Sequence, residues 1–257
     1  MLKIIFIIKS MIDEVLNNFK EAKIENNPFS HKVINNIFPE NFYRELIDNL
    51  PNIDHYTPIV KTGRVSSNYP AERFVFDLNN DTIRNLNEKQ KDVFNKIIKL
   101  FTNPLFFNVI ANEFKESISK RIKEFSEDEK KMFGTSNFKF SIGSSLVKDI
   151  TKYKLGVHTD TPSKFLTFLF YIPTDSSLKD LGTALYEPKD KEFHKNNEVK
   201  GHYPVDDFNL VKKVEFLPNT LFVFPRTNIS FHGVQTINID SAERNLLQLN
   251  YYLKNIN

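Results

Sequence analysis

The sequence predicts an α+β protein in which a mostly helical first part, residues 1–137, supports a β-rich second part, residues 138–257. Apolar residues of the first part recur at helical spacing, whereas those of the second form strand-length runs broken by Gly, Pro and Asn. No internal repeat or low-complexity linker separates the two parts. We therefore expect one domain, with helices packed on the outside of a barrel or double-sheet jelly roll.

The first part contains four predicted helices, and capping residues or proline mark several of their ends. The predicted helices cover 11–23, Pro39 to Pro51, 86–101 and 104–125, and 73–78 alternates like a short strand. Ser10 and Asp13 resemble a capping box for the first helix. Asn103 and Pro104 fit the N-cap and first turn of the last one.

The second part contains six runs of strand length. They are "FKFSIGSSLV", "KFLTFLFYIP", "GTALYEP", "VKKVEFL", "TLFVFP" and "RNLLQLNYYL".

The composition limits the chemistry available to the protein. It has no cysteine, so disulfides, zinc–thiolate sites and iron–sulfur clusters are excluded, and any metal must be bound by His, Asp or Glu. The 35 basic and 32 acidic residues are dispersed, which does not favour nucleic acid as a partner. The apolar run between Lys3 and Lys9 is too short to span a bilayer, and one interpretation is a first strand. We expect a cytoplasmic protein without a membrane partner.

A histidine and an aspartate stand two positions apart in "LGVHTDTP", just before a long apolar run. On a strand, His158 and Asp160 project from the same side and can share one ion. His232, which follows another apolar strand, supplies a third ligand. Two imidazoles and one carboxylate that leave other positions open are typical of non-haem Fe(II) oxygenases. The alternative is a hydrogen-bonded surface histidine, a capping aspartate and a histidine that ends a strand.

The last apolar run weakens that alternative. Arg244 shares a strand face with Leu246, Gln248 and Asn250, and the other face carries Asn245, Leu247, Leu249 and Tyr251. An arginine that faces inward needs a buried anionic partner.

With these residues the chain resembles the Fe(II)- and 2-oxoglutarate-dependent oxygenases, whose signature is H-x-D, a distant H and a basic residue on the last jelly-roll strand. The resemblance covers residues 138–257, including "GTALY" and "LPNTLFVF". It implies a double-stranded β-helix (jelly-roll, cupin-like) core. It also implies that His158, Asp160 and His232 bind iron and that Arg244 pairs with the distal carboxylate of 2-oxoglutarate.

Two further residues are candidates for co-substrate binding. Prolyl-hydroxylase-like members place a co-substrate-binding tyrosine at the position of Tyr171, and Thr167 lies four residues earlier on the same strand face. For each of them the alternative is a core residue with a satisfied hydroxyl group.

The resemblance implies Fe(II), 2-oxoglutarate and O2 as cofactors and a small-molecule substrate, polar or sugar-like. Because related halogenases lack the carboxylate that Asp160 supplies, hydroxylation is favoured over chlorination, while desaturation, epimerisation and demethylation remain open. One competing hypothesis is a cupin-like jelly-roll metal-binding protein without oxygenase activity, in which Arg244 is structural. Another is a non-catalytic binding module with a degenerate site.

The polar stretch 189–209 lies between two predicted strands and is long enough to suggest a function. We interpret it as a mobile lid over the pocket, with a surface excursion without a role as the alternative. Its His194 and His202 could form a second metal site, although solvated loop residues are the simpler interpretation.

Overall fold

The computed structural model describes residues 2–66, 69–193 and 201–256, with side chains from residue 10 onward. The helices are α1 (Leu2–Glu21), α2 (Glu40–Asp48), α3 (Asn80–Ile83), α4 (Glu88–Phe101), α5 (Pro104–Glu113), α6 (Lys115–Lys123) and α7 (Glu127–Phe133). The strands are β1 (Lys32–Asn35), β2 (Thr57–Pro58), β3 (Arg73–Asp77), β4 (Phe140–Ile150), β5 (Leu155–His158), β6 (Lys164–Tyr171), β7 (Ala184–Pro188), β8 (Phe208–Lys213), β9 (Thr220–Pro225), β10 (His232–Val234) and β11 (Glu243–Leu253).

Two antiparallel sheets form the core. The large sheet has the order β1-β9-β6-β11-β4-β3-β2 and the small sheet the order β5-β10-β7-β8. From β4 onward the chain passes repeatedly between the two sheets, which is the winding of a jelly roll. The predicted double-stranded β-helix is thereby confirmed. Strands β1, β2 and β3 come from the first part of the chain and extend the large sheet at both edges.

The helices cover the outer face of the large sheet, as predicted. Outward-facing Phe168 and Phe170 of β6 pack against the rings of Phe106 and Phe38, with ring centres 5.8 and 5.1 Å apart. Tyr251 of β11 donates a hydrogen bond to the Phe101 carbonyl at 2.6 Å. Because this face is sealed, the inner face of the same sheet is left to form a cavity against the small sheet.

The amino-terminal region differs from the sequence-based expectation. The interpretation of the run between Lys3 and Lys9 as a strand is wrong, because these residues belong to α1, which is nine residues longer than the predicted helix at its start. Residues 2–21 contain neither Gly nor Pro, so nothing interrupts the helix. No helix among the described residues has the length and apolar character needed to cross a membrane.

The helices before β4 also differ in number. The single helix predicted over 104–125 is divided into α5 and α6 at Phe114, whose side chain is buried. Helix α7 was not predicted. Its N-cap Ser126 accepts a hydrogen bond from the backbone of Glu129, whose carboxylate accepts one from the backbone of Ser126. This capping box, S-E-D-E, is visible in the sequence and could have revealed the helix.

Candidate metal centre

The two predicted histidine ligands are direct neighbours across one strand pair. His158 ends β5 and His232 begins β10, and the two residues are register partners with ring centres 4.3 Å apart. Asp160 lies two residues beyond the end of β5 rather than on the strand. One ligand atom from each of the three side chains lies within 4.8 Å of the others. The structure therefore brings the predicted triad together.

Gly233 allows the close approach of the strands that carry the histidines. A Cβ atom at this position would lie 2.6 Å from the carbonyl oxygen of Leu155 on β5. That distance is shorter than any normal contact, so a larger residue would separate β10 from β5 and move His232 away from His158.

Hydrogen bonds fix which nitrogen of each histidine is available. Nδ1 of His158 lies 2.9 Å from the Gly156 carbonyl, and Nδ1 of His232 lies 3.0 Å from the Ser230 carbonyl. Because a carbonyl oxygen only accepts, both Nδ1 atoms carry hydrogen and both Nε2 atoms keep a lone pair. Backbone carbonyls commonly orient metal-binding histidines in this way.

The charge states also suit a cation. Burial, reinforced by His232, lowers the pKa of His158 to about 3, and burial lowers the pKa of His232 against the attraction of Asp160. Burial alone would raise the pKa of Asp160, but Lys164 and the two histidines hold it below the usual carboxyl range. At neutral pH the site therefore offers two neutral imidazoles and one carboxylate, the forms that bind a metal.

Two side chains of β6 hold the Asp160 carboxylate. Lys164 Nζ lies 2.6 Å from Oδ1, and Thr167 Oγ1 donates to Oδ2 at 2.6 Å. Each carboxylate oxygen has a second lone pair that remains available to an ion. Thr167 therefore supports the carboxylate ligand instead of lying with Tyr171 and Arg244. Lys164 was missed, although it follows Asp160 by four residues.

Two buried arginines donate hydrogen bonds to the backbone that follows His158. Arg226 Nε donates to the Asp160 carbonyl at 3.1 Å, and Arg121 donates to the carbonyls of Lys164 and Pro162. Arg121 belongs to α6, so a helix of the first part helps to position a candidate ligand. Sequence analysis gave no signal for this contact, because the two segments lie some forty positions apart.

Arg244 is buried at the other end of the cavity, with a resident partner. Its Nη1 donates to Asp149 Oδ2 at 2.8 Å and its Nε donates to the Leu181 carbonyl at 2.6 Å. Arg73 of β3 contacts both oxygens of the same carboxylate, at 2.6 and 2.9 Å. Two guanidinium groups thus share one buried carboxylate. Nη2 of Arg244 is buried and has no hydrogen-bond partner among the described residues.

Tyr171 lies beside Arg244. The Arg244 guanidinium carbon is 5.8 Å from the centre of the Tyr171 ring. The Tyr171 hydroxyl donates to Thr183 Oγ1 at 2.7 Å and accepts from the Thr183 amide at 3.3 Å. Its position fits the candidate role, and its hydroxyl is also satisfied within the protein, as the alternative requires.

Both ends belong to one cavity of about 740 Å³, a size typical of small-molecule sites. Its lining includes the three candidate ligands, Arg244 and Thr183. The unpartnered Nη2 and the net positive charge of the Arg73–Asp149–Arg244 group fit a small anion at the deep end. The triad, with its free Nε2 atoms and ionised carboxylate, fits a divalent metal ion. The residues present therefore match iron and 2-oxoglutarate in their donor chemistry.

The stretch 189–209 is described in part, and residues 194–200 of the interpreted lid, including His194, lie outside the described residues. His202 lines the cavity, with its ring centre 5.4 Å from that of His158. The two flanks contribute Phe193, Tyr203 and Phe208 to an aromatic cluster around Phe231. The flanks of this polar stretch therefore contribute to a hydrophobic core cluster.

Comparison with known proteins identifies solved structures that share the fold. No family model and no curated protein matches the sequence. A prolyl hydroxylase from Trichoplax adhaerens, solved with a peptide fragment of hypoxia inducible factor, has a TM-score of 0.52 and 14% identity, covering 94% of this chain and 88% of that chain. A prolyl-4-hydroxylase from Pseudomonas putida has a TM-score of 0.47 and 10% identity, with coverages of 95% and 98%. A 2OG-Fe(II) oxygenase family oxidoreductase from Burkholderia pseudomallei has a TM-score of 0.38 and 11% identity, with coverages of 82% and 88%.

Of these three, the Trichoplax protein alone exceeds a TM-score of 0.5, and the assignment rests on it. The chain has the double-stranded β-helix fold of the prolyl hydroxylases. This is the fold of the 2-oxoglutarate- and iron(II)-dependent oxygenases that the sequence resembles.

Proposed function

We propose that the protein is an Fe(II)- and 2-oxoglutarate-dependent dioxygenase that hydroxylates a small polar or sugar-like substrate and releases succinate and CO2. The observation that carries the proposal is the pairing, in one cavity, of the His158, Asp160 and His232 triad with an unpartnered buried nitrogen of Arg244. A protein that binds only a metal ion would need the triad but not the unpartnered nitrogen of Arg244. A metal-bound co-substrate with a carboxylate at its far end accounts for both the triad and this nitrogen.

The residues of the chain have separate tasks in this reaction. His158 Nε2, His232 Nε2 and an Asp160 oxygen would hold iron, and Arg244 Nη2 would bind the distal carboxylate of 2-oxoglutarate. When bound, the iron and 2-oxoglutarate supply the oxidising chemistry, in which one atom of O2 enters succinate and the other the product. Lys164 helps to keep the Asp160 carboxylate ionised, and Thr167 helps to orient it. The apolar residues Val147, Leu169 and Leu246 line the cavity and limit the access of water.

The carboxylate at position 160 favours hydroxylation over chlorination, because chloride would need the position that Asp160 fills. The second candidate function is a cupin-like metal-binding protein without oxygenase activity, and one observation favours it. Asp149 already provides Arg244 with a buried anionic partner, so a purely structural role for this arginine is physically sufficient.

Anaerobic titration of the protein with Fe(II) and 2-oxoglutarate separates the two candidates. Chelation of iron by 2-oxoglutarate should give a weak visible charge-transfer band, which Fe(II) alone does not give. We expect the band in the wild type, its loss in Asp160→Ala, and a need for more 2-oxoglutarate in Arg244→Ala. Iron binding without the band, together with no succinate formation in air, would establish the metal-binding alternative.

A further inference from the structure

The cavity face of the large sheet is built in layers that run from the Arg244 end towards the triad. Arg73, Asp149 and Arg244 are register partners across β3, β4 and β11 and form the charged layer. The next layer consists of Val75, Val147 and Leu246, which are again register partners. Beyond this apolar layer the wall becomes polar. Gln248 lies four residues from Arg244, roughly 13 Å along an extended strand.

Three polar side chains form this outer part of the wall, and we call Ser145, Gln248 and Asn250 the polar band. Ser145 and Gln248 are register partners across β4 and β11, and Asn250 follows two positions later on the same face. Asn250 is also the register partner of Thr167, whose hydroxyl contacts the Asp160 carboxylate. The polar band therefore lies beside the candidate metal centre and well away from Arg244.

The side chains of the polar band make no hydrogen bond with the described residues, and Asn250 is the most telling of the three. Asn250 is 6% exposed, and its Oδ1 atom is buried without a partner. Buried polar groups in folded proteins are almost always hydrogen-bonded. Asn250 therefore lines the cavity with hydrogen-bonding capacity that the described residues leave unused.

The charges around the polar band are already neutralised. Arg64 forms a two-point pair with Asp77, a register partner of Ser145, and Lys164 is paired with Asp160. Among the described residues of the cavity, the unpartnered guanidinium nitrogen is at the Arg244 end. The polar band itself offers one hydroxyl and two carboxamides, which each donate and accept hydrogen bonds. Such groups match hydroxyls, which also do both, better than they match a phosphate or carboxylate.

We propose that the polar band is the binding subsite for the primary substrate and that this substrate is an uncharged polyhydroxy compound of about the size of one six-membered ring. Adjacent strands are about 4.8 Å apart and alternate residues about 7 Å apart. The three side chains of the polar band are therefore spaced to contact the hydroxyls of one six-membered ring. The inference rests on the proposed function for the identity of the reaction, but the binding step requires no turnover.

The test measures binding by calorimetry under anaerobic conditions, with Fe(II) and 2-oxoglutarate present. The uncharged probes are myo-inositol, hexoses, pentoses and their methyl glycosides. Matched probes are glucose 6-phosphate and glucuronate, which carry charge, and cyclohexanol, which has a single hydroxyl. We expect at least one uncharged polyol to bind at millimolar concentration and at least tenfold more tightly than the charged and apolar probes. Binding of a charged or apolar probe in preference, or no binding of any polyol, would overturn the proposal.

Two variants locate the subsite. Asn250→Leu keeps the shape of the side chain and should weaken binding of the polyol roughly tenfold, the effect of losing a hydrogen bond to a buried polar group. Gln248→Met tests the second carboxamide in the same way. Asn245→Leu is the matched control, because it makes the same substitution on the opposite face of β11. Equal effects at positions 245 and 250 would overturn the assignment.

The unfolding temperature of Asn250→Leu distinguishes a ligand-binding role of Asn250 from a purely structural one. Removing an unpartnered buried amide should leave this temperature unchanged or raise it, whereas loss of a structural hydrogen bond would lower it. The charge-transfer band of the wild type is recorded without any probe. Polyol binding without that band would retain the subsite and refute the proposed function. The band without polyol binding would support the proposed function and refute the subsite.

Discussion

The buried carboxylate of Asp149 lies 2.8 Å from Nη1 of Arg244 and at the same time contacts Arg73 through both of its oxygens. Inward-facing Arg244 therefore has an anionic partner from the protein itself. One carboxylate nevertheless compensates two guanidinium groups only in part, and Nη2 of Arg244 is left without a partner among the described residues. The arrangement holds Arg244 in place and leaves it able to bind a second anion.

Replacement of Arg244 should separate co-substrate binding from metal binding. Arg244→Ala removes a charged hydrogen bond to 2-oxoglutarate, so we expect its Kd to rise about 10- to 100-fold with Fe(II) affinity nearly intact. Asp149 keeps its pair with Arg73, so the variant does not leave a buried carboxylate without a partner. The charge-transfer titration measures both constants. Arg44→Ala, at an exposed position of α2, is the control. An unchanged Kd for 2-oxoglutarate would show that Arg244 is structural.

Asp149→Asn should destabilise the fold, because it leaves buried Arg244 and largely buried Arg73 without a carboxylate. Breaking such a group typically costs about 3–5 kcal/mol. The measurement is the free energy of unfolding from urea denaturation. The matched control is Asp77→Asn, which breaks the more exposed pair with Arg64 and should cost under about 1 kcal/mol. Similar losses in the two variants would contradict a special role for the buried group.

Asp160→Ala should abolish Fe(II) binding and turnover together, since two neutral imidazoles cannot offset a dication. We expect a loss of metal affinity above about 100-fold, more than changes in residues that merely support ligands produce. Metal binding is measured by anaerobic titration with a competing chelator. Asp240→Ala removes an exposed carboxylate and serves as the control. Retained affinity in Asp160→Ala would refute the metal centre.

A buried histidine away from the cavity should make stability depend on pH. His31 is fully buried, and burial lowers its pKa, although Glu25 Oε2, itself paired with Lys212, lies 3.9 Å away. In the unfolded chain the pKa returns to about 6.5, so below this pH the unfolded state binds more protons. The free energy of unfolding should therefore fall as the pH is lowered from 7 to 5.

His31→Asn tests this dependence, because Asn cannot titrate and its amide can replace the hydrogen bond from Nδ1 to the Phe29 carbonyl. Urea denaturation at pH 7 and at pH 5 should show a smaller loss of stability in the variant than in the wild type. His55→Asn, at an exposed position, is the control. Parallel losses in wild type and His31→Asn would assign the dependence to other groups.

Local pattern predicted one strip of the cavity wall. The alternation on β11 placed Arg244, Leu246, Gln248 and Asn250 on one face, and all four line the cavity. The period of a strand is a property of neighbouring residues, so it can be read without knowing the partner strands. The helical boundaries were less reliable, as the missed α7 and the break at Phe114 show. There a single cap or buried aromatic residue decides where a helix ends.

The sequence by itself predicted a jelly-roll core, through the resemblance that its motifs carry, the candidate ligands His158, Asp160 and His232, and the inward direction of Arg244, because motif spacing and strand alternation are local. It did not predict the order of the strands in the two sheets. Only the tertiary structure decided which residues surround the candidate ligands and Arg244. Arg73 and Asp149 reach Arg244 through the register of β3, β4 and β11, and Arg121 reaches the turn after Asp160 from a helix. Such contacts depend on how segments far apart in the chain align and pack, and no local pattern encodes that alignment.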